Sequence, residues 1–121
     1  MIQIIPGEDI KLIHFKCEDV VTHMDYQKIV IPTLEKELSK GGLFRVICDM
    51  RDMKKIEGKA IWDDYKFGIH HLNDFDRMAT VGDQWWMSPL MKISSLFFKI
   101  KLKHFKSNQF EEAWKWINQK R

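Results

Sequence analysis

Cysteine, proline and glycine are all scarce in this 121-residue chain, which holds two, three and six of them. Two cysteines cannot build a disulfide framework. Cys17 and Cys48 each sit in an apolar, strand-like run and read as buried free thiols of a reducing compartment. So little proline and glycine, beside 45% hydrophobic residues, excludes a disordered or fibrous chain. No apolar run approaches the ~18 residues that a membrane span needs. Met1-Ile2-Gln3-Ile4-Ile5-Pro6 lacks a basic stretch leading into a long apolar one, so no secretory signal is expected and the expected location is cytoplasmic. A glycine-rich phosphate loop, a GxSxG elbow and a CxxC pair are missing too. The length suits one domain over residues 1–121.

Acidic residues are absent from Gln84 to Phe110, where Lys92, Lys99, Lys101, Lys103 and Lys106 concentrate five positive charges in a chain of net charge +3. Basic residues so placed, without arginine or a recognised module, do not predict nucleic-acid binding. They suit an anionic membrane surface, or an edge strand protected by lysine where Lys99, Lys101 and Lys103 alternate with Ile100 and Leu102.

The remaining pattern alternates strand and helix. Ile2–Ile5 and Ile10–Cys17 read as strands joined around Pro6-Gly7. Thr22 with Asp25 opens a helix that Pro32 should kink and Gly41-Gly42 should stop. Leu43–Cys48 reads as a strand buried on both faces, and a helix follows with Ile61, Trp62, Tyr65, Ile69 and Leu72 at helical spacing. Met78–Val81 is a short strand, a third helix starts near Gln84, and Ile100–Phe105 is a lysine-laced strand. Asn108 and Glu111 cap a last helix. The order ββαβαβαβα predicts an α/β fold: a mostly parallel five-stranded sheet with right-handed crossovers, an antiparallel N-terminal edge strand and four helices.

The third helix is the most informative segment. With Trp85 at 0° and about 100° per residue, Leu96, Pro89, Ile93, Trp86, Phe97 and Leu90 fall between about 20° and 140°. Met87, Phe98 and Met91 fall between about 200° and 240°, with Ser94 alone polar inside the apolar arc. That arc spans about 240°, where covering a sheet takes little more than ~100°. Burial in the core with distortion at Pro89, a partner subunit, a hydrophobic ligand or a bilayer surface are the explanations open to the surplus.

Carboxylates after parallel strands are candidate acids, bases or metal ligands, which singles out Asp49, Asp52 and Asp83. Helix capping by Asp83 and pairing with Arg51 explain two of them more simply. Adjacent His70 and His71 point about 100° apart on a helix and cannot chelate one ion. No catalytic residue, metal or cofactor is expected.

The run Trp62-Asp63-Asp64-Tyr65-Lys66-Phe67-Gly68-Ile69-His70-His71 is distinctive. Phe75, Arg77, Ala79-Thr80-Val81-Gly82-Asp83, Trp86 and the Asp49-Met50-Arg51-Asp52 turn accompany it. Together they resemble the SpoIIAA-like (STAS-type) family. The resemblance implies a STAS-like fold related in topology to CRAL-TRIO lipid carriers, in a bacterial, often dimeric, non-enzymatic protein. A hydrophobic ligand and reversible membrane association go with it. Sporulation anti-anti-sigma factors switch by phosphorylation of a serine after the third strand; here residues 49–72 contain no Ser or Thr, so that switch has no acceptor.

The expected function is therefore a binding module for an apolar or amphipathic small molecule, a lipid included, with peripheral contact to the inner face of the membrane. Trp62, Trp85 and Trp86 would line the ligand, and Lys92 and Lys99 would meet its headgroup or acid end. Met87, Met91, Phe97 and Phe98 would meet the membrane or a second subunit. The alternative is a homodimeric interaction module.

Overall fold

A computed structural model of the chain describes residues 2–6, 12–39, 43–71, 74–97 and 100–119. β1 (Ile2–Pro6) runs antiparallel along β2 (Leu12–Val21). From β2 onward β3 (Phe44–Ile56), β4 (Phe75–Val81) and β5 (Lys101–Phe105) lie side by side and parallel, in chain order. Stepping always one strand in the same direction with right-handed crossovers places every crossover helix on one face of the sheet. The side chains follow this geometry. Phe15, Cys17, Val46 and Phe75 pack with the crossover helices, whereas Ile47, Ala79, Val81 and Phe105 face the last helix.

The first crossover is a helical rod in three parts: α1 (His23–Asp25), a π-helical turn Tyr26–Val30 and α2 (Ile31–Leu38). Thr22 and Asp25 form the expected reciprocal cap. Pro32 lacks an N–H, and the chain widens into the π turn just ahead of it, with Ile31 N–H donating to the Tyr26 carbonyl. The predicted kink is thus absorbed as a π turn. Gly7, Gly41, Gly42 and Leu72 lie outside the described residues.

Besides β4, which starts at Phe75 and not at Met78, two boundaries differ from the sequence reading. Asp49–Asp52 is not a turn: β3 runs on to Ile56 because β2 also continues, to Val21, and the two pair through Glu18↔Asp52 and Val21↔Ile56. Met53 stays buried, and Asp19 adopts φ 50° at a register break, a conformation that aspartate tolerates. The second, α4 (Met87–Phe97), starts three residues after Gln84. The Gln84 side chain is spent donating to the Met50 and Met53 carbonyls, 2.9 and 2.8 Å away, which pins the preceding loop to β3.

On the opposite face α5 (Phe110–Ile117) follows a 3₁₀ turn at Ser107–Gln109. Asp83, expected to cap α4, instead accepts from Ser107 N–H at 3.0 Å, and Gln109 rather than Asn108 or Glu111 closes this start by accepting from Lys106 N–H at 2.9 Å. The far end of α5 rests on two buried arginines. Arg45 donates to the Ile117 and Gln119 carbonyls and Arg77 to that of Trp116, satisfying the negative end of the helix.

Candidate ligand cavity

α3 (Gly58–His70) sets the site. Ala60 and Asp63 are its buried positions, with Phe67 half-buried, so the helix does not present the predicted stripe; Trp62 and Ile69 stand exposed. The physical cause is Asp63, which is only 2% exposed. Its carboxylate lies 2.5 Å from His23 Nδ1 on α1 and 3.9 Å from Lys66 Nζ. Burying this carboxylate, with His23 and Lys66 beside it at the surface, turns the helix away from the setting that hydrophobicity alone would choose.

α4 is turned in a similar way. Ser94 accepts a short hydrogen bond from the Tyr65 hydroxyl on α3 and donates to the Leu90 carbonyl at 2.8 Å. This directs Met87, Met91 and Ser94 inward. Met87, expected on a membrane or dimer surface, is 2% exposed, and Met91 faces the interior. The outward side is the opposite one, where Trp85 is 86% and Leu96 81% exposed beside Ile93. Phe97 is the last residue of α4; Phe98 and Lys99 lie outside the described residues.

Between the sheet, the first rod, α3 and α4 lie two adjoining cavities of about 80 and 70 Å³. Their walls share Tyr26, Cys48, Met50, Asp64, Met78 and Met91. Phe15, Val30, Phe67 and Leu102 extend the first lobe, and Ile61, Thr80, Trp86 and Leu90 the second. Of the expected lining residues, Trp86 stands in this wall. Trp62, Trp85 and Lys92 are exposed and outside it, with Lys66 Nζ 5.9 Å above the Trp62 ring.

Sequence reasoning passed over Asp64, the acid in both walls. Burial pushes its carboxyl up to about 6, opposed by a hydrogen bond of 3.4 Å from the Tyr26 hydroxyl. Among the described residues no cation pairs with it. Burial likewise pushes the Cys17 thiol up to about 12 and the Cys48 thiol well above its ordinary range, so neither is a nucleophile at neutral pH. The one sequence signal for Asp64 was its place beside Asp63, one helical step away and therefore on a different face.

Asp49, Asp52 and Asp83 do not act together. Burial works to raise the Asp49 carboxyl, but two 2.8 Å bonds from Arg51 hold it below its ordinary value. Arg51 in turn stacks on Phe110, Asp52 meets Lys16 at 3.8 Å, and Asp83 holds Ser107. No cluster of metal-ligating side chains occurs among the described residues.

The family model described as SpoIIAA-like matches residues 12–118. The chain belongs to the SpoIIAA-like family. A solved structure supports the same fold: an uncharacterised protein of the DUF3478 family from Shewanella loihica PV-4, with a SpoIIAA-like fold. It shares 25% identity over 97% of this chain and 92% of its own, with a TM-score of 0.77. No curated protein matches the chain. SpoIIAA-like topology thus frames the cavity, and no helix among the described residues is long and apolar enough to cross a membrane.

Proposed function

We propose that this SpoIIAA-like chain is a non-enzymatic binding module that holds an apolar or amphipathic small molecule between its sheet and α4. The observation that carries this reading is the pair of adjoining cavities, walled by Phe, Met, Val and Leu side chains, with α4 as one cover. A well-packed core of this size leaves few voids larger than a water molecule. An apolar void of about 150 Å³ accommodates benzene. Benzene titrated into the protein should shift the Met78 and Met91 methyl resonances saturably, and Met91→Trp, which fills the shared wall, should weaken this at least about tenfold while the fold persists. Absence of any saturable shift in the parent protein would end the reading.

A second reading, reversible contact with a membrane, is favoured by the outward side of α4. Trp85, Ile93 and Leu96 lie exposed beside Lys92, an amphipathic arrangement that meets an anionic leaflet, each nearby lysine contributing roughly 1 kcal/mol. Trp85→Glu should reduce co-sedimentation with phosphatidylserine vesicles to about a tenth. Unchanged sedimentation would remove the membrane and leave this face to a second copy of the chain, the homodimeric alternative.

A further inference from the structure

We infer that the cavity selects a ligand bearing a basic nitrogen, with the ammonium group against the Asp64 carboxylate and the hydrocarbon in the two apolar lobes. The inference rests on the binding reading above and gives it a ligand class. Three observations carry it.

Asp64 stands in the walls of both lobes, which it shares with Tyr26, Cys48, Met50, Met78 and Met91. Asp64 is exposed to solvent overall, and it borders both lobes, where partial burial raises its carboxyl. Every other carboxylate described above has a cation or a backbone N–H at hand: Asp49 has Arg51, Asp52 has Lys16, Asp63 has His23 and Lys66, and Asp83 has Ser107 N–H. Asp64 has one hydrogen-bond partner among the described residues, the Tyr26 hydroxyl at a long 3.4 Å. A carboxylate in an apolar wall with a single weak donor is complementary to a cation.

Among the described residues the polar lining contains no positive side chain. Besides Asp64 it offers Tyr26, Tyr65, Ser94, Thr80 and the two thiols, which burial keeps protonated. A fatty acid would bring a second carboxylate to Asp64 with no lysine or arginine among the described lining residues to hold it; of the two expected partners of an acid end, Lys92 is exposed and Lys99 lies outside the described residues. A like charge at this range opposes binding.

Thr80 Oγ1 in the second lobe is buried and without a hydrogen-bond partner among the described residues. Leaving a buried hydroxyl unpaired is costly, and a polar ligand atom would relieve it. The aromatic rings of Tyr26, Phe15 and Phe67 in the first lobe add faces that attract an ammonium group.

The test is a matched series of hexylamine, hexanol and hexanoate at pH 7.5, followed by the methionine methyl resonances. A primary alkylamine is protonated at that pH, as lysine is. Hexylamine should bind about tenfold more tightly than hexanol, the contribution of one charge-assisted hydrogen bond, and hexanoate should bind more weakly than either. In Asp64→Asn the preference for the amine should shrink to within about threefold of parity while hexanol affinity is kept, which separates lost charge from a lost fold. At pH 4.5, with Asp64 protonated and Tyr26, Cys17 and Cys48 neutral, the parent protein should lose the preference too. Hexanol binding as well as hexylamine, or hexanoate binding best, would overturn the inference and leave the apolar cavity standing. Failure of all three to bind would overturn both.

Discussion

Replacing Arg45 with methionine should cost about 3 kcal/mol and lower the melting temperature by roughly 10 °C. Arg45 is 7% exposed, and its guanidinium makes three separate commitments. Nε meets Asp76 at 3.0 Å, and Nη1 donates to the carbonyls of Ile117 and Gln119 at 2.8 and 2.7 Å. Methionine matches the stem but removes the charge facing Asp76, whose side chain is 8% exposed, and leaves the end of α5 without its donor. Arg77 keeps its Nε 3.5 Å from the same carboxylate, but its Nη1 is already given to Trp116, so the Ile117 and Gln119 carbonyls lose their donor. Lysine at position 45 keeps the charge without the fork and should recover less than half of the loss. Urea denaturation of the three proteins measures this; a methionine variant within about 1 kcal/mol of the parent would show that α5 is held mainly by Ala113 and Ile117.

The second large effect is a pH dependence with an unusual sign. Asp64 ionises near 6 in the folded protein against an ordinary 3.8. Below the lower value the group is protonated folded or unfolded, and its neutral form sits in the cavity with its full contribution to stability. As pH rises towards 6 the unfolded chain ionises first, so stability falls through this window and levels off above it. Asp64 is exposed to solvent, which screens its charge, so the loss is about 1.5 kcal/mol, half of what the same displacement would cost in a closed cavity. Asp64→Asn, close in shape and unable to ionise, should be more stable than the parent by about that amount at pH 8 and level with it by pH 4. A gap that stays constant from pH 4 to 8 would place the effect in packing and not in charge.

The strand–helix alternation was legible in the sequence because apolar periodicity writes it directly, and the SpoIIAA-like resemblance was legible in particular residues, chief among them the run from Trp62 to His71. Residues 43–48 and 78–81 are apolar enough to be read as strands, whereas the start of β4 at Phe75 was not read. The continuation of β3 through Asp49, Met50, Arg51 and Asp52 was hidden because most of its residues are charged and its partner strand passes through Glu18 and Asp19 there. Pairing between two polar strand ends leaves no hydrophobic signature. The helix faces were misread for a related reason. A helical wheel ranks directions by hydrophobicity, whereas α3 is set by Asp63 with His23, and α4 by Ser94 with Tyr65. Each of these depends on a residue far away in the chain. The cavity was invisible for the same cause, since it is the space left once both helices have been turned.

The strand order, in which spatial neighbours are also neighbours along the chain, bears on how the molecule is made. Each strand can dock on the one just before it, so the sheet grows from one side by short-range steps without waiting for a distant segment. The far face is a different matter. Ile47, Ala79, Val81 and Phe105 gain their cover only when α5, which follows all five strands, docks on them. A ribosome-bound chain that has not yet released α5 therefore carries a finished sheet with one greasy side uncovered, and this is the stage at which chaperone protection matters most.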